Sequence, residues 1–289
     1  MAVLLNSLPL LDTVAPRLAA EIVWRLWRTP RRPRPLNARD SLVMELATRS
    51  TMAIAGRRIA TYHWGSGPRV VLLVHGWEGR AADFAQLVRE LRSPARTIIA
   101  VDAPGHGRSS GRRTTVIDYG SVLAEVARRH GRLEAVVSHS LGTPSVAAAT
   151  HHGLHADRYV SISGVADLAG LVPKFCEALG VSPSTVAKVR ARIEKNVFAR
   201  NLDVWAQYSA PRSPLPASAP LLVIHDLADR MVPVADAAVL ADAHGPLTRV
   251  VTTEGLGHHR ILSANRVLDD VSAFLGATSE VDLAVTAHA

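Results

Sequence analysis

The sequence predicts an α/β fold: a mostly parallel sheet covered by helices on both faces. Three observations predict it. Strand-like and helix-like segments alternate between residues 51 and 276, as they do where strands are joined by crossover helices. Residues 69–74 and 133–137 are near-continuous apolar runs, which strands become when both of their faces are covered. The chain has 289 residues and is 48% hydrophobic, enough to bury a sizeable core around one such sheet.

Composition narrows the function classes. The net charge of +8 would permit anionic partners, but the arginines are scattered and no helix-turn-helix, RNA-binding or zinc-finger signature accompanies them. No nucleic acid partner is therefore expected. One cysteine, Cys176, excludes an internal disulfide, reads as a small buried hydrophobe and fits a reducing, cytoplasmic setting. The pairs His258-His259 and His151-His152, the latter with His155, lack matching carboxylate or cysteine spacing, so no metal is expected.

Residues 1–50 read as a helical extension and a linker. Residues 1–11 are apolar, but they lack a basic n-region and are followed by Asp12 and interrupted by Pro9, unlike a cleaved signal peptide. No stretch reaches the roughly 18 apolar residues that span a bilayer. Ala15, Leu18, Ala19, Ile22 and Leu26 fall near one helical face. Trp24 and Trp27, with Arg17, Arg25 and Arg28, border it, as in an interfacial helix. Packing of this face on the body is the preferred reading, and weak membrane-surface contact through residues 12–28 is its competitor. Arg31-Arg32-Pro33-Arg34-Pro35 then reads as a linker, since proline ends a helix and like charges repel.

The strands follow in order. Residues 51–54, a turn at Gly56-Arg57 and residues 58–64 suggest a hairpin. After the turn Gly65-Ser66-Gly67-Pro68 comes the apolar strand 69–74. Helix 81–91, strand 97–101, helix 116–129 and strand 133–137 alternate up to Ser140. Beyond the alanine-rich helix that follows lie strands 158–162, 221–224 and 249–252, with helices at 234–243 and 259–275. Residues 165–212 break the alternation. There, 167–179 reads as a helix ended by Gly180, Ser182-Pro183 opens a second with Val186, Val189, Ile193 and Val197 on one face, and Asp203 can cap a third. An insertion of this length is usually functional, and it reads as a lid. Phe175, Phe198, Trp205 and Tyr208 would give it an apolar underside, or would pack within it. Residues 277–289 read as a flexible tail.

The chemistry centres on Ser138-His139-Ser140-Leu141-Gly142. An apolar strand stops at a serine with small residues two positions either side, and a helix starts at once: the setting of a nucleophile elbow. The usual G-x-S-x-G carries serine, Ser138, at its first glycine. Serine is a poor nucleophile without a base beside it, and the chain offers one further on. Asp229, or Asp226, follows the strand 221–224 and can fix a histidine tautomer; Asp229 is preferred. His258, flanked by glycine, or His259 follows the last strand as general base; His258 is preferred. The oxyanion needs two backbone N–H groups. Leu141 supplies one and Trp77, after His75-Gly76, the other. His75 reads as a buried structural histidine, and Asp102, in Asp102-Ala103-Pro104-Gly105-His106-Gly107, as a partner for loop amides.

These pieces together, with Asp229-Arg230-Met231-Val232-Pro233, Gly257-His258 and the order Ser…Asp…His, resemble the α/β-hydrolase family across residues 51–276. The resemblance implies an eight-stranded, mostly parallel sheet, a lid after the sixth strand and a Ser140–Asp229–His258 triad. It further implies a cofactor-free serine hydrolase acting on a small-molecule carboxylic ester or thioester. An acyltransferase would use the same residues with another acceptor, and a non-catalytic binding protein would keep only the fold.

Overall fold

The computed structural model describes residues 2–31, 35–198 and 203–276, with side chains from residue 7 onward. The last three residues of the basic linker before Pro35, and the tail at 277–289, lie outside the described residues. Eight strands form one sheet: β1 (Thr48–Ile54), β2 (Arg57–Trp64), β3 (Arg69–Val74), β4 (Arg96–Val101), β5 (Ala135–His139), β6 (Tyr159–Ile162), β7 (Leu221–Asp226) and β8 (Thr248–Thr253). Their spatial order is β1-β2-β4-β3-β5-β6-β7-β8. The first two pairings are antiparallel and the remaining five are parallel. The hairpin turns one residue earlier than the sequence suggests. Ala55 and Gly56 both take positive φ, 47° and 71°, the two-residue geometry that matches strand twist, and Arg57 already pairs with Ile54.

Alternation along each strand divides the core into two layers. Val71 and Leu73 of β3, Ile98 and Ala100 of β4, and Leu222 and Ile224 of β7 face one layer. It is covered by α3 (Ala38–Glu45), α4 (Ala85–Leu91) and α12 (Asn265–Gly276). Val70, Leu72, Ile99, Val101, Leu221 and Val223 face the other, under α5 (Val116–His130), α6 (Gly142–Thr150) and α10 (Ala235–His244). The expected helix over 259–275 is three pieces: α11 (Gly257–Arg260), a 3-10 turn (Ile261–Ser263) and α12. Ala264 is extended between the last two, and the break lets Ile261, Leu262, Val267 and Phe274 reach the same layer.

A third apolar cluster sits above the sheet. Between β6 and β7 come α7 (Leu171–Ala178), α8 (Pro183–Asn196) and α9 (Val204–Gln207). Helix α7 starts later than expected, because the Asp167 carboxylate accepts the Ala169 and Gly170 amides and closes a turn first. Asp203 pairs with Arg212 at 2.5 Å and gives α9 no side-chain cap. Val172, Cys176, Val189, Ile193 and Trp205 pack here with α1 (Ala2–Val14) and α2 (Pro16–Arg28). Among the described residues no helix is long and apolar enough to cross a membrane.

The buried face of α2 is rotated from the expected one. Ala19, Ala20, Val23 and Trp24 are buried, whereas Leu18 is 52% exposed. The tryptophans do not border the packed face; they form it, and Trp27 meets Phe175 edge-on at 5.3 Å. Their large area outweighs that of a single leucine in setting the helix rotation. Packing of this helix is therefore the observed arrangement, through a different face and onto the inserted helices. Phe198 likewise meets Trp205 at 5.7 Å.

Candidate active site

In this sheet the chain leaves β3 for β4 on one side and returns to β5 on the other. The carboxyl ends of β3 and β5 thus flank a switch point, the usual place for a site in an open α/β sheet. β5 gives way to Ser140 at φ 54°, a left-handed backbone that a non-glycine residue keeps only when its surroundings hold it there. Glycines supply the room. A Cβ on Gly142 would lie 2.5 Å from the Val74 carbonyl oxygen, and one on Gly76 would lie 2.7 Å from Ser140 Cβ. Ser138 does more than stay small. Its hydroxyl donates to the Val160 carbonyl at 3.0 Å and meets the Thr143 hydroxyl at 2.9 Å, which in turn meets Ser161 at 2.9 Å. This buried ladder ties β5, α6 and β6 together beneath the turn.

Two backbone N–H groups flank Ser140. Leu141 stands at the head of α6, and Trp77 follows Gly76. Among the described residues neither amide has a hydrogen-bond partner. The turn carrying Trp77 is fixed by two histidines. His75 Nδ1 donates to the Gly76 carbonyl at 2.7 Å, and its Nε2 accepts the Ala103 amide at 3.0 Å. His106 Nδ1 donates to the Pro104 carbonyl at 3.1 Å, and its Nε2 accepts the Glu78 amide at 3.1 Å. Glu78 itself has φ 59°. Both rings must be neutral to accept at Nε2. Burial keeps them so, pushing the His75 pKa down to about 3 and lowering that of His106. Asp102 accepts the Ala81 and Arg108 amides and the Tyr62 hydroxyl, the amide-satisfying role its position suggests.

From outside the sheet, Arg31 grips the same turn. Its Nε lies 2.8 and 2.9 Å from the two Glu78 carboxylate oxygens, and its backbone N–H donates to one of them at 3.2 Å.

Asp229 and His258, the acid and base the sequence leads one to expect, meet across the ends of β7 and β8. His258 Nδ1 donates to Asp229 Oδ2 at 2.7 Å, and both side chains are essentially buried. The proton on Nδ1 leaves Nε2 as the basic nitrogen. Asp229 Oδ1 accepts the Met231 and Val232 amides at 2.8 and 3.0 Å. Burial alone would raise the Asp229 pKa, but these bonds and the one from His258 outweigh it and hold the carboxyl well below the usual range. Asp226 has no such partner. It accepts the Ala228 and Leu256 amides and the Thr253 hydroxyl, so it braces the loops after β7 and β8. His259 is exposed, with its ring edge-on to His258 at 5.0 Å.

His106, His225 and Arg31 take part in this site without any motif in the sequence that assigns them a role. His225 is fully buried, with its Nε2 donating to the Val232 carbonyl at 3.1 Å and lying 3.7 Å from Asp229 Oδ2. A histidine next to Asp226 at a strand end was the available signal.

Glycine-relieved elbow, flanking amides and a buried Asp–His pair on this sheet define one class of protein, and the comparisons agree. The sequence model of the alpha/beta hydrolase family matches residues 71–271, and the chain belongs to that family. A monoacylglycerol lipase of Mycolicibacterium smegmatis is 28% identical over 275 residues, covering 78% of this chain and 95% of the relative. Among solved structures, mouse alpha/beta hydrolase domain-containing protein 10 is 18% identical with a TM-score of 0.61, covering 83% of this chain and 99% of that one. An esterase from Pyrococcus furiosus is 15% identical with a TM-score of 0.61, covering 86% and 97%. At these identities the structures speak for the fold alone.

Proposed function

We propose that this chain is a serine hydrolase that cleaves a carboxylic ester or thioester through an acyl-enzyme on Ser140. The observation that carries the reading is the 2.7 Å bond from His258 Nδ1 to the buried carboxylate of Asp229, at the same end of the sheet as the strained Ser140. Ser140 Oγ attacks the acyl carbon while His258 Nε2 takes its proton. The Trp77 and Leu141 amides stabilise the oxyanion, and Asp229 keeps the imidazole oriented and steadies its positive form. Collapse of the tetrahedral adduct expels the alcohol or thiol, which receives the proton from His258. Water, deprotonated by the same nitrogen, then attacks the acyl-enzyme and releases the acid.

Residues 51–276 form the hydrolase unit in this reading, and 165–212 its lid. Leu141 and Val232 both pack against the apolar cluster of the inserted helices, which supports a substrate with an apolar acyl group. The monoacylglycerol lipase relative makes glycerol monoesters the first class to try. The test is a panel of p-nitrophenyl esters of graded chain length together with monoacylglycerols, without added cofactor. Turnover that disappears in Ser140→Ala is expected. No turnover of any ester or thioester would contradict the proposal.

A further inference from the structure

His139 immediately precedes Ser140 and plays no part in the proton transfers above. It is buried, and its Nε2 lies 2.9 Å from the backbone carbonyl oxygen of His258. The two residues are 119 apart in the chain, and their rings sit 4.7 Å apart, centroid to centroid. A ring nitrogen facing a carbonyl oxygen can only donate, so His139 carries its proton on Nε2.

The bond matters because of what lies at each end. His258 belongs to α11, a helix of four residues. So short a helix has almost no internal hydrogen bonds of its own to place it, and all its carbonyls need outside partners. Asp229 fixes the rotation of the His258 ring through Nδ1, but it does not fix the backbone from which the ring swings. Asp226 holds the Leu256 amide just ahead of α11, and His139 holds the His258 carbonyl itself, from the residue next to the nucleophile. A single side chain therefore joins the backbone of the base to the backbone of the elbow. Displacement of a catalytic group by about 1 Å can cost on the order of 100-fold in rate.

We propose that His139 is a positioning residue of the hydrolytic site, setting His258 against Ser140 through its Nε2–H bond to the His258 carbonyl. The proposal rests on the serine-hydrolase reading. The charged and titratable groups around the base are Asp229 and His225 from β7 and the loop after it, His259 from α11, and His139 itself from β5. Burial, with His258 nearby, pushes the His139 pKa down to about 3. The ring thus stays neutral at working pH and adds no positive charge beside the imidazolium that forms on His258.

The test uses two variants and one measurement on the unaltered protein. His139→Phe keeps a ring of similar volume and removes the donor. His139→Gln places an amide N–H at the reach of Nε2. The Phe variant is expected to lose about 10- to 100-fold in kcat with KM changed less than about threefold, because the contact sets geometry and does not touch substrate. The Gln variant, at equal thermal stability, is expected to recover most of that loss. A Phe variant with the full kcat, or a folded Gln variant as impaired as Phe, would overturn the role. If the Phe variant does not fold, nitrogen-15 NMR of the wild-type imidazoles decides. A neutral His139 with its proton on Nε2 between pH 6 and 8 is expected, and the Nδ1–H tautomer or a charged ring would overturn it. Labelling of wild type by a fluorophosphonate, and its loss in Ser140→Ala, tests the underlying reading separately.

Discussion

Asp12, near the end of the first helix, caps a helix 170 residues away. Its carboxylate accepts the Ser182 amide at 2.6 Å and the Thr185 hydroxyl at 2.5 Å, at the head of α8. Ser182 occupies the N-cap position but makes no side-chain cap bond, and Asp12 instead satisfies the N-cap amide from a distant part of the chain and sets its negative charge at the positive end of the helix. Glu21 adds an ion pair to Arg192 on the same helix, at 2.5 Å.

Loss of this cap should loosen the inserted helices before it touches the sheet. Asp12→Ala is expected to cost about 1–2 kcal/mol, in line with the removal of a helix cap, and to raise amide exchange selectively at the start of α8. A chain starting at Asn37 loses Asp12, the buried Val23 and Trp24, and the Arg31 grip on Glu78. It is expected to melt lower or to be insoluble. A stable, fully active truncation would mean that neither the Asp12 contact with α8 nor the Arg31 grip on Glu78 is needed for fold or activity.

The two aspartates after β7 should separate cleanly. Asp229→Asn leaves the shape and removes the charge that orients His258, so kcat is expected to fall by several orders of magnitude, about 10⁴ where such a carboxylate has been lost elsewhere. Asp226→Asn weakens loop bonds to Thr253 and Leu256 and is expected to lower stability more than kcat. Steady-state kinetics and thermal melts of both variants check this; the reverse pattern would move the acid to Asp226.

Stability should fall on mild acidification, before carboxylates titrate. His75 and His139 are both pushed from 6.5 down to about 3 in the folded chain. The unfolded chain therefore binds protons below pH 6.5 that the folded chain does not, and stability is lost as pH falls below 6.5 and is full above it. Each such histidine contributes roughly 1.4 kcal/mol per pH unit over that window. The depressed carboxylates, Asp229 and Asp226, act only nearer pH 4 and below. Urea midpoints at pH 7.5 and pH 5 check the sign, and equal midpoints would contradict it.

Much of the fold is legible because its physics is local. Beyond Arg69, the strand 69–74 is apolar because both faces are covered, Ser140 and Asp229 each follow a strand and precede a helix, and His258 opens the short helix after the last strand. What stays hidden depends on distant partners. Asp12 reads as an interruption of an apolar run until Ser182 and Thr185 come beside it. Trp24 and Trp27 read as flanks of a leucine face until Phe175 shows which side is packed. His106 and His139 look like filler positions inside glycine- and serine-rich turns, since no spacing rule reveals that a ring nitrogen will meet the Glu78 amide or the His258 carbonyl.

Covalent labelling reads out whether Ser140 is an activated nucleophile. Wild type would be treated with a fluorophosphonate probe at neutral pH and the modified peptide mapped by mass spectrometry, with Ser140→Ala and His258→Ala in parallel. A single adduct on Ser140 is expected, absent in Ser140→Ala and strongly slowed in His258→Ala, because only a serine with a base beside it reacts appreciably. An adduct that persists in Ser140→Ala, or a wild-type chain that takes up no probe while folded, would contradict it.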